Sequence, residues 1–594
     1  GTAKGMGGDV TVTLTLEDGK ITGCTAEGKD ETPGIGTLAL EQLPAQIAET
    51  GSIAVDGVST ATITSNAIKE AAAAALTAAG LNADDYKIEV KADETKAEDS
   101  TVDADVVIVG AGGAGMTAAI TAAAEGKSVV IVESQAMVGG NSVRATGGMN
   151  AGKTVYQDEN EFGESAGVEK TLKTAAEKYA DNETITALAK TVSEQWAEYQ
   201  KNPTGYFDSV ELMELDTMIG GKGINDPALV ETLCSNSADA IDWLDEHGIT
   251  LHSVSSFGGA SVKRIHRPVD AEGKTVSVGS YMIPLLEENC EKAGVQILLN
   301  TTANEILTDA SGAAVGIKAT GSTGETVTVN AKAVVLTTGG FGANLDMVVE
   351  YKPELKGFMT TNAAGAQGQG IEMATAIGAD TVDMDQIQIH PTVEANTAAL
   401  ITEGLRGDGA VLINAEGKRF IDEVGTRDVV SAAEIAQTGS YSWLVVDQAM
   451  VDASSVIQGY IKKGYTVTGE TYEELGKAMG VDEAAFAETM KTWNGYVEAK
   501  NDPDFGRTSF ANPLDTAPYY AIKVTAGVHH TMGGLTINTN TEVLKEDGTV
   551  IPGLFAAGEV TGGVHGANRL GGNAVADFTV FGRIAGKAAS DYAA

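Results

Sequence analysis

Nine arginines serve the whole 594-residue chain, and three of them, Arg406, Arg419 and Arg427, fall in one short stretch. A fourth, Arg569, stands in Asn568-Arg-Leu-Gly571-Gly572-Asn573. The seven histidines are as uneven: His390, His529, His530 and His565 all sit in Gly- or Thr-rich motifs. Guanidinium is a permanently charged, planar fork that grips a carboxylate with two parallel hydrogen bonds. In a chain of net charge −42, cations gathered into a few motifs predict a local anion pocket working against the protein's own field. The plainer reading is ion pairing with Asp408, Asp422, Glu423 and Asp428, which gains little when exposed. The same charge argues against nucleic acid or anionic lipid as a general partner. Three cysteines far apart, Cys24, Cys234 and Cys290, exclude a disulfide scaffold, an iron–sulfur cluster and a CxxCH haem site within this sequence.

A second chemistry begins at Asp105. An apolar strand, Asp105 to Val109, runs into Gly110-Ala-Gly112-Gly-Ala114-Gly115 and then a helix, Met116 to Glu125. Gly110 permits the tight turn, Gly112 lets backbone approach a pyrophosphate, and Gly115 lets helix and strand pack closely. The helix N-terminus offers free N–H groups to the anion. A second strand, Ser128 to Val132, ends in Glu133 at the distance expected of a ribose-hydroxyl acceptor. Val138-Gly-Gly140-Asn141-Ser142 and Thr146-Gly147-Gly148-Met-Asn150 extend the glycine-rich stretch, and Gly553-Leu-Phe-Ala-Ala-Gly558-Glu559 returns to similar sequence near the C-terminus.

These segments need elements to hold them. Val10 to Leu16 alternates like a half-buried strand, Lys20 to Thr25 less clearly so, and Asn66 to Ala79 is an Ala-rich helix. We therefore expect a small domain over residues 1–91, a polar linker over 92–104, a nucleotide domain over 105–384, an inserted domain over 385–528 and a return to the nucleotide domain over 529–594. A long helical region spans Val168 to Glu246, and a second set of strands ends at Val334 to Thr338. No leader is read in the polar, Gly-rich opening at Gly1. The one stretch long enough to cross a bilayer, Val106 to Ala124, switches from strand to turn to helix and reads as soluble nucleotide fold.

Ile389-His390-Pro-Thr392, Thr402-Glu403-Gly-Leu-Arg406, Arg419-Phe420-x-x-Glu423-x-x-Thr426-Arg427-Asp428, Val528-His529-His530-Thr531-Met532 and Gly562-Gly-Val-His565-Gly-Ala-Asn568-Arg569 follow one another in order. In order and spacing, residues 105–594 resemble the soluble flavocytochrome c-type fumarate reductases and their relatives, including urocanate reductases. The N-terminal segment resembles an FMN-binding domain through Thr32-Pro-Gly34-Ile-Gly36 and Asp56-Gly-Val-Ser59-Thr60-Ala-Thr62, departing from the usual S/T-G-A-T motif at Thr60. It stands where the flavocytochromes carry haem.

The resemblance implies an α/β FAD domain (Rossmann-like, of glutathione-reductase type), an inserted α+β clamp and a small α+β FMN domain. It implies non-covalent FAD held by the glycine segments with Glu133, Ala303, His530, Glu559, Ala574 and Val575. It also implies FMN esterified to Thr62, whose plainer role is helix N-cap. For the reaction, it implies hydride transfer from reduced FAD to an activated C=C bond and proton delivery by Arg427 through Glu403 and Arg406. His390, Thr402, Glu403, His529, Arg569 and Gly572 would hold the substrate, and His530 would face the flavin. Arginine's unperturbed pKa of about 12.5–13.8 lets it act as an acid only in a dry site, beside other cations and a carboxylate that reprotonates it; the plainer role of Arg427 is a carboxylate clamp. Fumarate is the expected substrate. Urocanate, methacrylate or an arylacrylate is the alternative, and a flavin electron carrier without turnover the reading of another class. An external electron donor (quinol dehydrogenase, cytochrome or other carrier), an FMN transferase and an extracytoplasmic bacterial location complete the expectations.

Overall fold

The structure, a computed structural model, describes residues 1–31, 36–55, 57–58, 61–88 and 96–594, with Thr62 described in its backbone alone. Of the expected FMN motif, Thr32 to Ile35, Asp56, Ser59 and Thr60 lie outside the described residues, as do residues 92–95 of the expected linker.

Alternation of apolar and polar residues yields β1 (Thr2–Lys4), β2 (Asp9–Glu17) and β3 (Lys20–Glu27), an antiparallel sheet in the order β1-β2-β3. Helices α1 (Gly36–Thr50) and α2 (Thr62–Ala78) cover one face of it. Val10, Val12, Ile21, Leu43, Ile47, Ile68 and Leu76 form a core of their own, separate from the rest of the chain. The Ala-rich helix starts four residues earlier than its composition predicts, at Thr62. Its N-cap is Ala61, with no side-chain cap.

The glycine fingerprint folds as its residues require. β4 (Ser100–Val109) leads through Gly110, at φ +106°, into α3 (Gly113–Ala124) and then β5 (Val129–Val132), parallel to β4. β4 begins five residues before the predicted start. Pairing with the long strand Thr326–Leu336 extends back to Ser100, so residues 100–104 belong to the sheet and not to a linker. That strand serves two neighbours on its other edge: its first half pairs antiparallel with Ala314–Thr320, its last three residues parallel with Leu554–Ala556. The return segment near the C-terminus thus closes onto the first Gly-rich strand through one shared partner. Gly115 packs helix on strand, since a Cβ there would lie 1.9 Å from the Gly110 carbonyl oxygen and 2.8 Å from Thr337 Oγ1. Overpacking of this kind costs about 1–3 kcal/mol, so Gly115→Ala is expected to bind FAD roughly tenfold to a hundredfold more weakly. The FAD-to-chain ratio after gel filtration checks it.

A second sheet, antiparallel, orders Ile387–Glu394, Tyr519–Thr531, Tyr441–Asp447 and Val411–Ile413, with Thr466–Gly469 also on the long Tyr519–Thr531 strand. That strand runs through the expected boundary at residue 528. His529 and His530 therefore end a strand of the inserted region instead of opening the return segment. The helix Arg427–Ile435 packs against Ile387–Glu394, bringing Arg427 beside His390. Pro391 interrupts that strand at a register shift between His390 and Val393, the kind of place where a sheet tolerates proline.

Candidate functional site

One long cleft runs between the glycine turns of the first sheet and the rim of the second. Fourteen predicted FAD residues line it: Gly110, Gly112, Ala114, Glu133, Asn141, Ser142, Thr146, Gly147, Gly148, Ala303, His530, Glu559, Ala574 and Val575. Gly115 lies behind the wall, where its packing role places it. At Gly112 a Cβ would meet nothing closer than Ser142 Oγ at 3.6 Å, so the backbone there faces open space of the kind a pyrophosphate fills. Glu133 accepts hydrogen bonds from the Ala111 and Gln135 amides at 2.8 and 2.9 Å, and burial pushes its pKa up. Its carboxylate thereby ties the glycine turn to β5 as well as facing the cleft.

At the other end of the cleft the predicted substrate residues converge. Arg427 donates from Nε to Glu403 Oε2 at 2.7 Å and brings Nη2 within 2.6 Å of the same oxygen, while Nη1 donates to Gln388 Oε1 at 2.9 Å. Arg406 Nη2 stands 3.0 Å from Glu403 Oε1, an ion-pair distance, although the N–H does not point at that oxygen. His390 Nε2 lies 4.0 Å from Glu403 Oε2, and its ring meets that of His529 edge-on at 4.9 Å. Gly258 and Gly571 leave the room Glu403 occupies, since a Cβ on either would come within 2.7 Å of its carboxylate. His390, Thr402, Glu403, Arg427, His529, Arg569 and Gly572 all line the cleft; Arg406 sits one layer behind Glu403.

Burial decides the charges. It would raise the Glu403 carboxyl, but Arg427 and Arg406 outweigh it and hold the group below its usual range. Burial, reinforced by Arg427, pushes His390 and His529 well below their ordinary value, so both are neutral at pH 7. The Thr392 amide donates to His390 Nδ1 at 3.1 Å, which leaves the proton on Nε2, facing the cleft. Arg569, buried beside Arg427, is pushed down to about 9. Arg406 is lowered too, by burial first. Arg427, Arg406 and Arg569 all act on the buried carboxylate of Glu403, and an anion bound beside them in this dry wall is held by the same guanidiniums. We expect kcat/KM to stay flat between pH 6 and 8, with no break near 6.5, because the two imidazoles are neutral throughout. A steady-state pH profile with a dye donor checks it.

Not every predicted cation belongs here. Arg419 pairs with Glu423 at 2.7 and 2.8 Å and with Asp502 at 3.0 Å, and its guanidinium stacks 4.1 Å above Trp493. It is absent from the cleft: for this residue, ion pairing wins, inside a buried network that Arg507 joins through Glu423 at 3.2 Å. Asp408, Asp422 and Asp428 pair instead with Arg267, Lys170 and Lys222, cations of the preceding region. The cleft also holds residues that sequence reading missed, among them Arg144, Phe257, Thr361, Leu400 and Asp577. Gln388, outside the lining but accepting from Arg427, stands two residues before His390 on the same strand, a period of two that could have pointed to it. The others carry no local signal.

A dinucleotide cleft with a cationic wall at one end defines a cofactor-dependent oxidoreductase, and a separate small α+β domain stands beside it in the chain. The FAD-binding-domain family matches residues 105–208 and 196–575, and the FMN-binding-domain family matches residues 5–77. The chain is 42% identical over 488 residues to a fumarate reductase (cytochrome) of Shewanella frigidimarina, covering 82% of this chain and 77% of that one. It is 37% identical over 600 residues to a urocanate reductase of Eggerthella lenta, covering 99% and 91%. An NADH:fumarate oxidoreductase of Klebsiella pneumoniae is 40% identical over 555 residues, 93% of this chain, which spans only 54% of that relative's length. The solved open conformation of a flavocytochrome c3 fumarate reductase superposes with a TM-score of 0.62 at 38% identity, covering 83% of this chain and 79% of that one. The chain belongs to the flavocytochrome c-type fumarate and urocanate reductase family, with an FMN-binding domain at its N-terminal end. It is a flavin-dependent reductase using FAD and FMN.

The residues present fit FAD. His530 Nε2, Thr338 Oγ1 and Arg569 Nε are buried polar atoms without a protein partner, and all three residues line the cleft. No described helix is long and apolar enough to cross a membrane.

Proposed function

We propose that the protein reduces fumarate to succinate. The observation that carries this reading is the convergence of Arg427, Arg569, His390, His529 and Thr402 on one buried wall beside the flavin cleft. The flavins, when bound, supply electrons and a hydride to one carbon of the alkene. Everything else falls to the chain. Arg569, His390 and His529 hold two carboxylates and draw electron density from the double bond, which favours hydride addition. Arg427 gives its proton to the second carbon and regains one through Glu403, whose ionised carboxylate takes a proton from Arg406 and passes it on. Gly572 supplies a backbone contact to the substrate. Exclusion of water by the inserted region, acting as a clamp, keeps the proton transfer local and the reduced cofactor from side reactions.

FMN is esterified to Thr62 by a transferase, and an external donor reduces it outside the cytoplasm. A neutral or aromatic tail in place of the second carboxylate would leave buried donors unpaired, which discriminates strongly. Urocanate is the second reading, favoured by the near-complete match to the Eggerthella lenta relative. Anaerobic dye-linked turnover with each substrate decides: succinate from fumarate with urocanate at least about a hundredfold slower is expected, and the reverse ratio would transfer the assignment. Oxidation by neither would point to an electron carrier.

A further inference from the structure

His565 and Asp577 have no part in the scheme above, yet both are almost fully buried. His565 Nε2 lies 2.7 Å from Asp577 Oδ2. A carboxylate only accepts, so Nε2 is the donor of this contact. Asp577 is the fifth residue of the helix Asn573–Tyr592 and faces the cleft between Val575 and Phe578. Its other oxygen, Oδ1, has no partner. An unpaired oxygen on a buried carboxylate is costly and calls for an explanation. The neighbouring His530 stands edge-on to His565 at 5.6 Å and also faces the cleft. Asp577 is among the acids whose field reaches Arg569, so its charge is felt across the cofactor end of the wall.

We propose that the His565–Asp577 pair sets the reduction potential of the FAD bound in this cleft. Two electrons and one proton turn the oxidised flavin into a form with one more negative charge. A carboxylate facing it opposes that gain, and charge near the ring is one of the protein's levers on flavin electronics. His565 acts as a positioning residue: its hydrogen bond holds Asp577 in place and spreads part of its charge away from the cleft. The pair is thus a damped negative charge beside the cofactor. The proposal rests on FAD occupying this cleft and not on which alkene is reduced, because potential is read without substrate.

The test is an anaerobic dye-equilibration titration of the holoprotein carrying both flavins, with the FMN wave as internal control. Asp577→Asn keeps the shape and removes the charge; it is expected to shift the FAD equilibrium about tenfold toward the reduced form, about 30 mV upward for a two-electron couple. His565→Asn uncovers the carboxylate and is expected to shift it in the opposite direction by a comparable factor. The double variant should follow Asp577→Asn, and Asp577→Glu, which keeps the charge, should stay within twofold of the native protein. Shifts of one sign in both single variants, or none beyond twofold, would overturn the proposal. So would loss of FAD from Asp577→Asn, which would assign the pair to cofactor retention.

Discussion

Arg427→Ala is expected to lower turnover with fumarate by about 10⁴-fold, the upper range for loss of a positioned general acid. Substrate affinity should fall much less, because Arg569, His390 and His529 are still in place on the wall. The variant also loses the main partner of Glu403, which receives Arg427 Nε and Nη2 on one oxygen. Breaking a buried ion pair by removing one side costs about 3–5 kcal/mol, so the melting temperature should drop as well. Arg427→Lys separates the two effects. A lysine retains the charge beside Glu403 and recovers part of the stability, but its point charge cannot span Glu403 and Gln388 together as the fork does. Rapid-reaction measurement of flavin reoxidation by fumarate, alongside fumarate binding to the oxidised protein, checks both. Turnover within tenfold of the native rate in Arg427→Ala would remove this residue as the acid and leave it a carboxylate clamp.

Thr62→Ala is expected to abolish covalent FMN and, with it, reduction of the protein by its external donor. Three hydroxyls stand in the first turn of α2, in Thr62-Ile-Thr-Ser. Thr64 donates to Glu31 Oε2 at 2.6 Å and is 1% exposed. Ser65 accepts from the Val58 amide at 3.0 Å and is wholly buried. Neither is open to a transferase; the resemblance to FMN-binding domains points to Thr62, at a helix N-terminus suited to phosphate. Dyes that reduce FAD directly should still drive fumarate reduction at about the native rate, since the cleft lies in another core. Intact-chain mass spectrometry after co-expression with a transferase checks the adduct; an adduct persisting in Thr62→Ala but lost in Thr64→Ala would move the attachment point.

The nucleotide-binding half of the molecule was legible because its signals are local. Gly110 needs a positive φ, Gly115 needs the absence of a Cβ, and the turn is written within about thirty residues. The strands and the Ala-rich helix followed from period and composition, although tertiary pairing starts one strand five residues earlier and the helix begins four residues earlier. The cationic wall was legible only as a set of residue types. Arg419 and Arg427 look alike in the chain, each with acids close by, yet one stacks on Trp493 in a buried network and the other enters the cleft.

By itself, then, the amino-acid order determined a dinucleotide fold, a separate small domain and a shortlist of cations for an anion site. Which arginine meets which carboxylate, where His529 and His530 belong in the sheets, and that Asp577 faces the cleft were decided only by tertiary structure. The reason is physical. Backbone conformation and periodic burial are set by neighbours in sequence, whereas charge pairing in a dry interior depends on distances between segments hundreds of residues apart and on how much water their packing removes.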